Sequence, residues 1–538
     1  MKRVCAISRK EFTVTDDDLK FYEKMEVPVP TLCPEERQRW RLAWRNERSL
    51  YRRNCDMCKQ SMIATYDKDV IFPVYCRDCW LSDKWDAKKL GQDFDFNRPL
   101  FEQFHDLLKE VPKLAVINER SENSEFTHYS DQNKNGFLLV GTARCEDCMF
   151  GYRSFDIKDC VDCAFLSESE MCYECIDSEN LYECVYCLRC KNSRNLKVCH
   201  DCENCKNCFG CTNLRNKEFC WGNQQLTPTE FSKKLKQQDC SWENFDALRK
   251  SGIFRATKCI QCEDCKGDNI TKSKNCQQCF DVSESEHCNY CMSATKNNNC
   301  ADTEFIDQSS WCWNGSSQER NNNCICCAVV WYSNDMMYCE NCVSSHDLLG
   351  CIGMRHAAYC ILNKQYSKEE YFTLREKILK HMKQTGEFGE FFPIQFAPFA
   401  YNETIAMEHF PLTKKEVLER KWKWKDDRQK DHQTATISKL PNDIVDITDT
   451  ICKEILACEK CKKNYKIQKQ ELKFYRKMTL SIPRKCPNCR HVERLKLRNP
   501  RHLWNRNCDK CSAEIQTTFS PERHEKVYCE KCYLDEVN

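Results

Sequence analysis

Cysteines recur at a fixed interval of twelve residues through the middle of this chain, and that spacing limits its fold more than any other feature. Cys148, Cys160, Cys172 and Cys184 form one phase, which Leu196 interrupts before Cys208 and Cys220 resume it. Cys163, Cys175, Cys187, Cys199 and Cys211 form a second, and asparagine keeps the same interval at Asn180, Asn192, Asn204 and Asn216. A short fixed period means stacked structural units. Twelve residues are too few for a helix pair but enough for one coil of a small β-solenoid, where like residues stack in columns. Asparagine suits a column of turns, because it tolerates the left-handed conformation and hydrogen-bonds locally. A loop-dominated string of zinc knuckles is the competing reading.

Two duplications organise the rest. With a shift of 453, Cys5, Cys33, Cys55, Cys58, Cys76 and Cys79 land on Cys458, Cys486, Cys508, Cys511, Cys529 and Cys532 without a gap. With a shift of 140, nine cysteines from Cys148 to Cys220 land on cysteines from Cys288 to Cys360. Each array runs into a capping box, Thr227 to Glu230 and Ser367 to Glu370, that starts a helix. The expected fold is mostly β: two solenoid-like cysteine arrays flanked by duplicated zinc-ribbon or treble-clef-like modules, with capping helices. The expected domains are an N-terminal zinc module (1–85), a helical connector (86–135), array 1 (136–250), array 2 (251–385), a linker (386–450) and a C-terminal double-zinc module (451–538). In the connector, Phe101, Phe104, Leu107, Leu108 and Val111 line one face of an amphipathic helix over 97–111.

The chain carries 47 cysteines in 538 residues. Its first residues hold no apolar signal core and no stretch is long enough to span a membrane, so a cytoplasmic location is expected, or a virion if the source is viral. Cytosolic thiols stay reduced, which leaves zinc thiolates or buried free thiols rather than disulfides. In the C-terminal module Cys458/Cys461, Cys486/Cys489, Cys508/Cys511 and Cys529/Cys532 are C-x2-C pairs, each a turn that presents two thiolates to one ion. In the N-terminal copy Ser8 and Glu36 replace ligands of the first and second pairs only. One site lost as a unit implies sequential pairing, so Cys55, Cys58, Cys76 and Cys79 share a zinc and Cys5 and Cys33 remain as buried thiols.

The arrays allow two readings. Strands about 4.8 Å apart and sulfurs about 3.8 Å apart on a tetrahedral zinc would let pairs on neighbouring coils converge. That reading assigns Cys160, Cys163, Cys172 and Cys175 to one site and Cys184, Cys187, Cys199 and Cys202 to another. It adds Cys276, Cys279, Cys288 and Cys291, and Cys324, Cys327, Cys339 and Cys342, in array 2. Thr303 and Gly315 stand where the partners of Cys300 and Cys312 would be. The other reading packs the same thiols as dry columns.

A near-neutral total of +2 hides an uneven charge distribution. Residues 37–53 hold seven arginines against one glutamate, whereas 145–186 hold eleven acidic residues against two basic ones. Arg37, Arg41, Arg45, Arg48 and Arg53 recur as Arg490, Arg494, Arg498, Arg501 and Arg506, with Trp40, Trp44, Tyr51 and Trp504 among them. The first four of each set fall on one helical face, although Pro500 divides the second copy into two helical pieces, the latter capped by Asn499. Arginine with stacking aromatics suits RNA or DNA. A solvated face, or docking onto the acidic array of the same chain, explains it equally.

The segments LKFYEKMEVPVPTLCP, DFDFNRPLFEQF, ENCKNCFGCTNLRNKEFC, FAPFAYNETIA and the RNPRHLW…YCEKCY ending resemble a family of cysteine-rich zinc-ribbon proteins of candidate-phyla bacteria and some large DNA viruses. The resemblance spans nearly the whole chain and implies zinc sites but no activity; Ser8 and Glu36 depart from the pattern. No H-E-x-x-H, P-loop or G-x-S-x-G motif is present, and closed all-cysteine sites leave no position for substrate. The sequence therefore points away from an enzyme. Three functions remain: a nucleic-acid or ribonucleoprotein binder, a protein-interaction scaffold on the array surface, and a thiol redox sensor or zinc store.

Overall fold

The computed structural model describes residues 1–235, 242–293, 313, 316–319, 324–427, 434–437 and 440–538. Cys300, Thr303, Cys312 and Gly315 lie outside them. The arrays are β-solenoids. In array 1 successive coils pair in parallel with a register of twelve, as in Met149↔Val161, Val161↔Tyr173 and Tyr173↔Val185. Between these pairs the backbone turns through a left-handed residue every third position, as at Asp156, Asp159, Asp162 and Phe165. Each coil thus has four edges of three residues. The first two residues of a triplet donate to neighbouring coils on opposite sides, the second of them turning the corner, and the third points inward. Val161 N–H donates to the Cys172 carbonyl at 3.0 Å, and Asp162 N–H to the Met149 carbonyl at 3.0 Å.

A left-handed corner strains most side chains, and Asn and Asp carry the strain best. The chain fills many corners with them rather than with its 13 glycines. Along the asparagine column two amides donate to the next coil: Asn180 to Asn192 at 3.0 Å and Asn204 to Asn216 at 3.2 Å. Array 2 repeats the scheme, with a coil shortened by one residue where the register slips between Lys266 and Gly267. Gly267 is required there, since a Cβ would sit 1.7 Å from the Cys279 carbonyl oxygen. Both solenoids end on the expected capping boxes. Thr227 and Glu230 exchange backbone and side-chain bonds, as do Ser367 and Glu370.

The chain divides into two compact units. One comprises Met1–Val116, Thr257–Lys425 and Arg501–Trp504; the other comprises Ile117–Ala256, Asp426–Pro500 and Asn505–Asn538. Each therefore joins a terminal module to the array remote from it in sequence. In the first unit the connector helix Leu100–Glu110 buries Phe101, Phe104, Leu107 and Leu108 in an aromatic core with Trp44, Phe391 and Phe392. A fully buried ion pair, Lys113 to Glu340 at 2.6 Å, ties the connector to array 2. In the second unit, strand Ile253–Arg255 pairs in parallel with Lys526–Tyr528, and Phe254, Phe519 and Val527 close a small core.

Candidate metal centres

Four knuckles share one backbone design. In Cys55–Lys59 the fifth residue is left-handed and its N–H returns to the Cys55 carbonyl at 2.9 Å. Lys462 does the same to Cys458 at 3.0 Å, Ser512 to Cys508 at 2.9 Å and Arg9 to Cys5 at 3.1 Å. The second half of each centre is a helix N-terminus: Cys33, Cys76, Cys486 and Cys529 are the N-cap residues of Pro34–Ala43, Arg77–Leu81, Pro487–Leu495 and Glu530–Val537. Unpaired N–H groups and the helix dipole there favour thiolate.

Three of the four centres gather four sulfurs. Cys55, Cys58, Cys76 and Cys79 form one, Cys458, Cys461, Cys486 and Cys489 a second, and Cys508, Cys511, Cys529 and Cys532 a third, with all four sulfurs of each within 4.8 Å of one another. The Cys58–Cys76 and Cys511–Cys529 contacts are 3.8 Å and the Cys461–Cys486 contact 3.6 Å. That is the edge of a tetrahedron with about 2.3 Å metal–sulfur bonds, and far beyond the roughly 2.05 Å of a disulfide. The tetrads pair in sequential order. Burial raises the leading thiols, but backbone N–H groups outweigh it and bring Cys55 down to about 7 and Cys458 and Cys508 to about 6. Cys55 accepts from Cys76 N–H at 3.2 Å, as Cys508 accepts from Cys529. Burial meanwhile pushes Cys486 up to about 11. A leading thiolate already stabilised by N–H donors fits a metal ligand.

Zinc tetrads within the arrays are not what the structure builds. Among the described residues no array thiols form a group of three or more ligand atoms within 4.8 Å. Cys160, Cys163, Cys172, Cys175, Cys184, Cys187, Cys199 and Cys202 are buried in array 1, and Cys276, Cys279, Cys288, Cys291, Cys324, Cys327, Cys339 and Cys342 in array 2. The reason is the three-residue edge, which aims every third side chain into a narrow bore and stacks it in its own column. Most of these thiols have backbone carbonyl acceptors instead. Cys172 Sγ lies 3.4 Å from the Glu170 carbonyl and 3.9 Å from that of Leu181, and Cys163 Sγ 3.5 Å from those of Val161 and Cys172. Burial pushes Cys163 and Cys172 well above the ordinary thiol range. The bore also holds two columns that the cysteine phases alone do not reveal, one with Ser178, Cys190 and Cys202 and one with Ser169, Leu181, Ser193 and Cys205.

The arginines do not form an exposed stripe. Arg490 and Arg494 are buried against array 1: Arg490 pairs with Asp162 and lies 3.2 Å from Glu471, and Arg494 lies 2.7 Å from Asp162 and 3.1 Å from Glu174. Arg498 bonds Asp177 at 2.8 Å and stacks 3.6 Å over Phe165, while Arg490 stacks 4.7 Å over Phe150. Burial raises the Glu174 carboxyl to about 8 against the opposing pull of Arg494. The first unit repeats the mount in register. Arg37 lies 5.5 Å over Tyr290 and 5.7 Å over Trp313, and Tyr290 donates to Asp18 at 3.1 Å. Shifts of 453 and 140 superpose Arg37, Asp18 and Tyr22 on Arg490, Glu471 and Tyr475, and Tyr290 and Trp313 on Phe150 and Tyr173.

The other arginines are also committed. Arg41 is buried, Arg45 pairs with Glu47 at 2.6 Å, and Arg48 is half-buried. Arg53 and Arg506 bond Asp56 and Asp509 inside their modules, and Arg501 reaches Asp281 at 3.5 Å and Ser293 at 2.8 Å. The helices end at Ala43 and Leu495, so no second helical piece follows Pro500. Asn499 instead donates to Thr518 at 2.9 Å and accepts from Arg523 at 2.7 Å. Sequence supplied both halves of this mount, a basic helix and an acidic array, but the stacked corner positions of Asp162 and Glu174 beneath the helix emerge only from the period of three.

Searched against protein-family models and against curated proteins, the chain matches none. Among the described residues, no helix is long and apolar enough to cross a membrane.

Proposed function

We propose that this protein is a non-catalytic, zinc-binding scaffold: three closed zinc tetrads brace two solenoids, whose outer faces dock a protein partner. The observation that carries this reading is the inward commitment of the duplicated arginines, which makes the basic helices mounts for the solenoid wall. Four thiolates complete a tetrahedron, so each zinc acts structurally. On array 1 the ladder of Glu170, Tyr182, Arg194 and Glu218 beside the asparagine column is exposed, with the intervening rung Lys206 half-buried. Such ladders give extended, rigid binding surfaces.

The test is cross-linking mass spectrometry on the native complex purified from its source. Cross-links to a protein partner concentrated on this ladder are expected; partner cross-links confined to the terminal modules would refute the scaffold reading. A second reading keeps nucleic acid as the partner, favoured by Lys466, Lys469 and Lys473, which are exposed and form no ion pair among the described residues. It predicts full-length protein binding RNA or DNA with a steep salt dependence, lost in Lys466→Glu/Lys469→Glu/Lys473→Glu and retained in Arg498→Gln. No binding at low salt would eliminate it.

A further inference from the structure

The fourth centre has lost two ligands and kept its frame. Cys5 N–H still donates to the Lys10 carbonyl at 2.9 Å and Arg9 N–H to the Cys5 carbonyl at 3.1 Å, the same two bonds that shape the three intact knuckles. Cys33 still caps its helix, and its N–H donates to Cys5 Sγ at 3.3 Å, as Cys76 and Cys529 N–H donate to Cys55 and Cys508 at 3.2 Å. Ser8 Oγ sits 3.6 Å from Cys33 Sγ, in the place of the 3.6–3.8 Å sulfur–sulfur edges of the tetrads. Glu36 has turned away to Arg39, at 2.6 Å. With Glu36 turned away, Cys5, Cys33 and Glu36 do not form a three-ligand group. What is left is a pair of buried thiols packed in one small cluster on a metal-site backbone, with the Cys33 N–H at Cys5 Sγ.

We propose that Cys5 and Cys33 form a reversible dithiol–disulfide site oxidised by hydroperoxides. The Cys5 thiolate attacks one peroxide oxygen: a sulfur–oxygen bond forms, the oxygen–oxygen bond breaks, and the leaving alkoxide or hydroxide takes a proton to depart as alcohol or water. Cys33 sulfur then attacks the sulfenic sulfur. A sulfur–sulfur bond forms, the sulfur–oxygen bond breaks, and the hydroxide leaves as water with the Cys33 proton. Two thiols give up two electrons to one peroxide, and a dithiol reductant reverses the change.

The division of labour follows from the surroundings. Burial raises the Cys5 thiol, but the Ser8 hydroxyl and the N–H groups of Cys33, Ser8 and Ile7 outweigh it and bring it below the ordinary range. Burial, together with the adjacent Cys5 sulfur, raises Cys33. Cys5 is therefore the attacking thiolate and Cys33 the resolving thiol. In the intact tetrads the same thiolates would be occupied by metal, which lowers their reactivity.

The experiment treats full-length, reduced protein with hydrogen peroxide, alkylates the remaining thiols and maps disulfides by mass spectrometry. A Cys5–Cys33 cross-linked peptide that dithiothreitol removes is expected, in at least tenfold greater yield than any cross-link within the tetrads. The variant Ser8→Cys/Glu36→Cys, which rebuilds a tetrad, should bind one more metal ion per chain and lose the cross-link at the same dose. Recovery of Cys5 and Cys33 as alkylated thiols at a dose that oxidises the tetrads would overturn the proposal. So would the loss of one metal ion per chain in Cys5→Ser. The wild-type map decides the matter even if the rebuilt variant does not fold.

Discussion

Replacing Arg494 by methionine tests whether the basic helix is a mount. The guanidinium is fully buried and lies 2.7 Å from Asp162 and 3.1 Å from Glu174, both themselves buried. Methionine keeps much of the volume and removes the charge, leaving two carboxyls with only Arg490 beside them. Breaking a buried ion pair from one side costs about 3–5 kcal/mol, whereas an exposed, solvent-screened pair such as Lys274–Glu263 contributes little. Global unfolding of a two-unit chain is not a two-state transition, so the assay is native-state hydrogen exchange of the amides in Pro487–Leu495 and in residues 161–177. At about 1.4 kcal/mol per decade, exchange should accelerate by about a hundredfold to a few thousandfold, and Lys274→Met should change its own coil by less than about tenfold. Metal content should not change. Acceleration below threefold in Arg494→Met would mean that the arginine faces water, and the reasoning would fail.

Three further outcomes are expected. His200 is buried against Phe254 at a ring distance of 4.8 Å, and burial lowers it to about 3. Its neutral form is the folded one, so its contribution is complete above pH 6.5 and falls away as the pH drops below that value. Between pH 7 and pH 5 wild type should lose about 2 kcal/mol more stability than His200→Leu; parallel pH profiles would contradict this. Lys113→Met should destabilise the first unit by about 3–5 kcal/mol in hydrogen exchange, and Lys113→Met/Glu340→Leu should restore most of the loss; equal losses in both variants would count against the pair. Array thiols such as Cys172 and Cys187 should resist N-ethylmaleimide in native protein and react fully in urea. Labelling at the rate of exposed thiols would contradict a dry bore.

How much of this was legible in the sequence depends on the period consulted. The twelve-residue phase of cysteine and asparagine gives the coil, and the asparagine ladder sits where its left-handed preference requires. The bore was harder to read, because Ser, Leu, Ile and Cys alternate in two of its four columns and only a period of three unites them. The same omission made array cysteines resemble zinc pairs: C-x2-C in a knuckle converges, but C-x2-C in this coil places its sulfurs on adjacent edges. Chemistry drove the arginine expectation, since the spacing of Arg490, Arg494 and Arg498 is that of one helical face whether it meets phosphate or Asp162, Glu174 and Asp177. The pairing of each module with its distant array has no local signal at all. Ser8 and Glu36, by contrast, marked the lost centre from the sequence alone.

On this reading, metal ions held by the terminal tetrads and absent from the arrays brace the fold. Native mass spectrometry of full-length protein, purified without added metal, measures it directly. Three zinc ions per chain are expected, each lost with one tetrad when Cys55, Cys458 or Cys508 is replaced by serine. A well-folded chain without metal, or one holding more than three ions that survive all three substitutions, would contradict it.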